Sequence, residues 1–200
     1  MLVLPADFTP ASMPCALGSW GGGELVLRRL QRADGHSLLA FFHSHTEETR
    51  YRRYGFPNYE MSPAQAEALA AIDQTRNAAL AITERIGAME RIVAVGRFSR
   101  DEPGCNAELA FVTHEKRRGQ GLATILLGAL FAAAREQGIQ LFHAQTQEDN
   151  YAMLGIFLRA GAYIQPIPGT QSVEIQIPVS PAEPPAPKKR RRWGKVVKSR

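Results

Sequence analysis

The sequence predicts an α/β domain built on one mixed sheet with helices laid against it. Two observations carry this. Short strand-like segments, bounded by glycine-, proline- and asparagine-rich turns, recur from residue 24 to residue 179. They are interrupted by helical stretches, giving the order β, two or three helices, βββ, α, β, α, ββ, and that interleaving describes a mixed α/β sandwich.

Taken in order, residues 1–23 are rich in Pro, Ser and Gly and end in "GSWGGG", which reads as a flexible leader. "ELVLRRLQR" (24–32) alternates apolar and polar residues as a half-buried strand does. Asp34 is placed to cap a following helix that carries Leu38, Leu39, Phe41 and Phe42. "TEETRYRRYGF" suits a second short helix or turn. Ser62 followed by Pro63 gives a cap and a first-turn proline for "PAQAEALAAI". Strands are expected at "NAALAITER", "RIVAVGRFS" and "AELAFVT" (107–113), the first two joined by a turn at "IGAM". The next helix sets Leu122, Ile125, Leu126, Ala129, Leu130 and Ala133 on one face and stops at Gly138. "IQLFHAQT" is a further strand, and Asp149 or Asn150 opens a helix that ends near "RAGA". "AYIQPI" and "SVEIQIPV" are two more short strands. From Ser180, "SPAEPPAP" cannot join a sheet and reads as an extended linker to a basic, disordered end.

A 200-residue chain that is 44% hydrophobic has enough apolar material for one domain with a sizeable core. The net charge of +5 is made by the end of the chain: residues 188–200 hold eight of the 24 Lys and Arg and no acid. The 16 basic residues that remain face 19 acidic ones, so 1–187 carries a formal charge of −3. Two distant cysteines, Cys15 and Cys105, argue against a disulfide framework or a zinc site and fit a reducing compartment. The first cation is Arg28, so the apolar start lacks the charged region of a signal peptide. No run of about 18 apolar residues suggests a membrane span. The chain is expected to be cytoplasmic.

"HEKRRGQGLATILL" (114–127) is the stretch with the most chemical content. Like charges beside helix-weakening glycines are costly, so bending backbone and donors facing an anion are implied. A Walker A string is absent, and the dinucleotide fingerprint fails because Thr124 occupies its third small position. The pattern R/Q-x-x-G-x-G/A, by contrast, is met throughout by Arg118, Gly119, Gln120, Gly121, Leu122 and Ala123.

That loop resembles the acyl-CoA-binding loop of the GNAT superfamily of N-acetyltransferases. The resemblance runs from about 24 to 178 and includes "AELAFV" before the motif, "ATILLGAL" after it and "EDNYAMLGIFLRAGA" further on. Within the superfamily the chain is most similar to the catalytic domain of bacterial protein-lysine acetyltransferases. The resemblance implies a GNAT-type, mostly antiparallel central sheet flanked by helices over 24–179. It also implies acetyl-CoA as co-substrate, no metal, and a protein lysine or a small amine as acceptor. Backbone amides of 119–124 at a helix N-terminus suit a pyrophosphate, with Thr124 offering a hydroxyl. One of Lys116, Arg117 and Arg118 is placed to reach the 3′-phosphate; a solvated cationic loop is the plainer alternative.

Direct transfer needs a base, a donor to the thioester carbonyl and a proton for the thiolate. Glu108, the lone ionisable residue of "AELAFVT", matches the family's catalytic glutamate; without the resemblance it would be a strand-end glutamate facing water. The family's fold puts the carbonyl donor in the backbone of Phe111, Val112 or Thr113. Asn150 matches an asparagine that contacts the pantetheine arm, and it suits a helix N-cap as well. The tyrosine that serves as acid in many members is replaced by Phe157, which leaves the thiolate to take its proton from water. Selectivity is expected to lie in "HTEETRYRRYGF" and in the strands after residue 162. Competing functions are a small-molecule amine acetyltransferase and a non-catalytic acyl-CoA-binding module. Residues 188–200, with Trp193 among eight cations, suit weak contact with nucleic acid or an anionic surface.

Overall fold

The structure, a computed structural model, describes residues 2–179. Its strands are β1 (Cys15–Trp20), β2 (Gly23–Arg29), β3 (Ala78–Ile86), β4 (Met89–Arg100), β5 (Asn106–Thr113), β6 (Leu141–Gln147), β7 (Tyr163–Pro166) and β8 (Ser172–Pro178). Its helices are α1 (Gly35–His43), α2 (Glu47–Tyr54), α3 (Pro63–Ala70), α4 (Leu122–Glu136) and α5 (Tyr151–Arg159). All eight strands form one sheet in the order β1-β2-β3-β4-β5-β6-β8-β7. Every neighbouring pair is antiparallel except β5 with β6. The expected mixed, mostly antiparallel sheet is present.

Period-two alternation sorts the central strands into two faces. One face sends Leu25, Leu80, Ile82, Phe98, Leu109 and Phe142 into the main core beneath α4 and α5. The helix α4 lies close because Gly96 has no side chain: a Cβ there would meet Leu130 Cδ1 at 3.0 Å. The other face sends Ala79, Ala81 and Val95 toward Leu38 and Phe41 of α1 and Ala70 of α3. Ser62 caps α3 in a reciprocal box with Gln65, as the sequence suggested.

Two expectations are corrected. Residues 15–20 of the expected leader form β1, which pairs with β2 through a two-residue turn at Gly21 and Gly22. Both glycines have positive φ (60° and 85°), the backbone of a tight hairpin turn, so the glycine run that looked loose is a structural requirement. Leu2, Leu4, Phe8 and Met13 pack against the main core as well. Asp34 precedes α1 but its side chain does not cap it. Its carboxylate instead accepts two bonds from Arg28, at 2.7 and 2.8 Å, and one from the Gln31 amide at 2.7 Å. The basic end, including 188–200, lies outside the described residues.

Candidate active site

The site is created where the one parallel pair stops. Strands β5 and β6 pair only over 106–108 and 141–143, with Glu108 opposite His143 as the last partners. Beyond that point β5 stays with β4 as far as Thr113, while β6 stays with β8 as far as Gln147. The strands therefore part and leave a wedge between them, with the edge of β5 around Phe111, Val112 and Thr113 unpaired on that side. Phe157 of α5 is buried on the α4 face, edge-on to Phe111 at 5.5 Å. A phenol at this position would lie in the core, which accounts for phenylalanine there.

The loop from β5 to α4 bends at Gly119 (φ 74°) and Gly121 (φ 85°), both in the left-handed region that favours glycine. Gly121 is the N-cap of α4 and supplies no side-chain cap. The amides of Gly119, Gln120, Gly121, Leu122, Ala123 and Thr124 have no hydrogen-bond partner among the described residues. Six free donors at the start of a 15-residue helix form a cradle that favours an anion. The Thr113 hydroxyl and the Gln120 side-chain oxygen, both buried without partners, add polar capacity on either side of the bend.

The loop's cations are not interchangeable. Arg117 is turned inward onto Glu84 of β3, a carboxylate with no exposed side-chain surface that also binds Arg91 at 2.6 Å. Arg118, the first motif residue, donates to Thr49 Oγ1 of α2 at 2.6 Å. Lys116 is exposed and forms no ion pair among the described residues. Arg118 is exposed as well and also without an ion pair among the described residues, but its guanidinium is tethered to the Thr49 hydroxyl.

Helix α2 straps the wedge on the face opposite α4, crossing both β5 and β6. Its N-terminus is fixed by Glu115, which accepts from the Thr46 amide at 3.0 Å and from Thr46 Oγ1 at 3.2 Å and lies 3.2 Å from His45 Nδ1. Burial opposes ionisation of Glu115, but bonds from Thr49 and the Thr46 amide, aided by His45, outweigh it and hold the carboxyl at about 2. Burial pushes the His45 imidazole below its ordinary value against the pull of Glu115. The far part of α2 is fixed by Arg52, which grips Asp149 on the β6–α5 loop at 2.9 and 3.2 Å.

Glu108 is exposed and points to the α2 face, as the alternation with buried Ala107 and Leu109 requires. His143, in register beside it, holds its Nε2 3.0 Å from both oxygens of Asp101. Two arginines that the sequence did not single out complete this wall: Arg97 of β4, opposite Ala110, and Arg53 of α2. Asn150 sits at the N-cap position of α5, yet its amide donates to Thr146 Oγ1 at 2.9 Å instead of capping. Among the described residues no group of three or more His, Cys, Asp or Glu could hold a metal.

The splayed strand pair, the free amides at the start of α4 and the exposed Glu108 at the point of separation together mark the candidate site. Residues 24–163 match the family model described as an acetyltransferase (GNAT) domain, and the chain belongs to that family. It is 30% identical over 177 residues to the acetyltransferase Pat of Mycolicibacterium smegmatis, covering 88% of this chain and 51% of the relative. The chain thus spans about half the length of that curated relative. Among solved structures, the GNAT domain of S. lividans PAT superposes with a TM-score of 0.71 at 24% identity, over 82% of this chain and 96% of that one. A putative acetyltransferase from Salmonella typhimurium with its cofactor acetyl-CoA gives 0.63 at 18%, over 82% and 98%. These two likenesses concern the fold.

Proposed function

We propose that this chain moves the acetyl group of acetyl-CoA to a primary amine, with a protein lysine as the leading acceptor and Glu108 as the general base. The observation that carries the reading is the position of Glu108: an exposed carboxylate at the last paired residue before β5 and β6 part. The cradle at 119–124 holds the diphosphate, Lys116 faces the 3′-phosphate, and Asn150 lies along the pantetheine path. When bound, the co-substrate supplies an activated thioester. The unpaired edge at Phe111, Val112 and Thr113 offers an amide to the thioester oxygen as negative charge develops there.

A lysine amine has an ordinary pKa near ~10.4 and must lose a proton to attack. Glu108 accepts that proton, directly or through one water. Nitrogen bonds to the carbonyl carbon, the carbon–sulfur bond breaks, the nitrogen releases its second proton to solvent, and the thiolate takes one from water, since Phe157 provides no acid. Half the length of the relative named Pat is matched, at 30% identity, and its description as an acetyltransferase supports the class of reaction.

Glu108→Gln keeps the shape and removes the base, so kcat/KM is expected to fall about 10²–10⁴-fold at neutral pH. The deficit should shrink toward alkaline pH as more of the acceptor is already neutral, while acetyl-CoA affinity holds. Near wild-type kcat/KM at neutral pH would overturn the role of Glu108. The base would then be sought at His143, which Asp101 already orients at 3.0 Å.

A further inference from the structure

The wall beside Glu108 carries more positive charge than its own structure neutralises. Helix α2 has three arginines, Arg50, Arg52 and Arg53, and their partners differ. Arg50 reaches Glu60, and Arg52 binds Glu48 and Asp149. Arg53 has no carboxylate partner among the described residues; its guanidinium lies 5.0 Å from the Tyr54 ring centre. Across the cleft, Arg97 makes one side-chain hydrogen bond, to Ser99 Oγ at 3.3 Å, and no ion pair among the described residues. Both arginines are partly buried and line one small cavity of about 30 Å³, open to solvent, whose other walls include Leu38, Phe41, Val95 and Val112.

Guanidinium groups brought together beside apolar surface repel one another and lose hydration. Burial, and for Arg97 the nearness of Arg53, draws both below the ordinary arginine value, with Glu108 opposing. The ionisable groups facing the pair are Glu108 of β5, Tyr54 of α2 and Tyr59 of the following loop. Glu108 is the one carboxylate among them, and it is the group that becomes neutral when it takes the amine's proton. The arriving ammonium adds one charge to the +1 of the two arginines and Glu108, so the site carries +2 both before and after the proton moves unless something else balances it.

We propose that Arg53 and Arg97 receive a carboxylate carried by the acceptor, so that the preferred acceptor is a lysine flanked by an acidic side chain. The register fixes the distance. Arg97 pairs with Ala110, diagonal to Glu108, a separation of about 7–8 Å between backbones that long side chains span. An amine held at Glu108 therefore places a neighbouring acidic residue at the arginines. The strap on which Arg53 rides is pinned at both ends by Glu115 and by Asp149, so its side chain is presented from fixed backbone. This specificity rests on the assignment of Glu108 as the base.

Peptides that place Glu or Gln beside one acceptor lysine test it. The wild-type protein is expected to favour the Glu peptide about tenfold in kcat/KM, the scale of a hydrogen bond to a charged group, and less at high salt. Arg97→Gln and Arg53→Gln should each bring the ratio toward one. Glu108→Gln should slow both peptides and leave the ratio intact, which separates a failure of the base from a failure of the arginines. Equilibrium binding of the two peptides in the presence of coenzyme A reads the same ratio without turnover, so it decides the matter even if the chain transfers nothing. A wild-type ratio near one, or a ratio that survives Arg53→Gln with Arg97→Gln together, would overturn the proposal. So would a change of preference between acetyl-CoA and succinyl-CoA with the peptide ratio unchanged, since that outcome gives the arginines to the acyl donor.

Discussion

The loop proposed to cradle the diphosphate and the wall proposed to face the acceptor both carry arginines, and they use them in opposite ways. At the loop, Arg117 is spent on the buried carboxylate of Glu84 and Arg118 bonds Thr49, so uncharged backbone amides and Lys116 are what remain to meet an anion. At the wall, Arg53 and Arg97 have no carboxylate partner among the described residues, only the Tyr54 ring and Ser99 Oγ, and the proposal leaves their charge for a ligand. A cation that is already paired organises the chain; one left unpaired beside a cleft recognises something. Counting basic residues along a sequence cannot separate the two, because the separation depends on which carboxylates the fold brings near.

The largest effect should come from the amide cradle. Acetyl-CoA at about a thousandfold above its Kd should stabilise the folded chain by about 4 kcal/mol, because it binds the folded state alone. Gly121→Glu puts a side chain and a negative charge at the N-cap, where φ is 85°, and should abolish that gain. Gly121→Ala carries the same backbone strain without the charge and should keep part of it. Thermal unfolding with and without ligand reads both. A full shift in folded Gly121→Glu would mean that the cradle is not the binding element, and the contrast between amides and arginines would fail at its first half.

Next comes the ion cluster beneath the loop. Glu84→Gln leaves Arg117, whose side chain is 14% exposed, facing a neutral amide. Removing one partner of a buried pair typically costs about 3 kcal/mol or more. Arg97→Gln, by contrast, removes a charge that has no carboxylate partner among the described residues and should cost under about 1 kcal/mol. Urea unfolding of the two variants measures this asymmetry directly. Equal losses would show that Arg97 is a structural residue too, and would weaken the case for it as a recognition group.

What the sequence made legible follows the range of the interactions involved. Periodicity and turn residues disclosed the order of strands and helices from β2 onward, because those signals lie within a few residues of the structure they specify. The helix α4, its glycine bend and its stop at Gly138 (φ 69°) were readable for the same reason. The strand β1 was hidden because six strand residues ending in Trp20 and a Gly-Gly turn have the composition of a linker. The fates of Arg117 and Arg118 were unreadable, since Glu84 and Thr49 lie 33 and 69 residues away. Asp34 misled through Arg28, only six residues away but placed by the turn from β2. The segment "HTEETRYRRYGF" was expected to bear on selectivity, and it forms the strap that presents Arg53; only the fold singles out that arginine from its neighbours.

The smallest effect concerns the pin that fixes the strap to the loop, and its sign follows from linkage. Glu115 is held at about 2, below the ordinary 4.5, so its ionised form belongs to the folded state. The unfolded chain binds the extra proton first as pH drops, so the stabilisation is complete above about 4.5 and is lost as pH falls through about 2. His45, also depressed, acts in the same sense below its ordinary 6.5: the unfolded chain takes up a proton that the folded imidazole resists. Glu115→Gln should cost about 1–2 kcal/mol at neutral pH, the worth of hydrogen bonds to a charged group at a partly exposed site. The difference between wild type and variant should narrow as pH falls from 4.5 toward 2. Losing the Glu115 charge also removes what holds His45 up, so its acid-sensitive window should widen downward. Stability curves against pH for the two proteins test this, with the acidic-flank peptide ratio measured at pH 7 on the same samples. If the strap loosens, Arg53 is no longer presented from fixed backbone and the ratio should fall with it. A variant that loses the expected stability yet keeps the full ratio would show that the wall's selectivity belongs to Arg97 and needs no rigid strap.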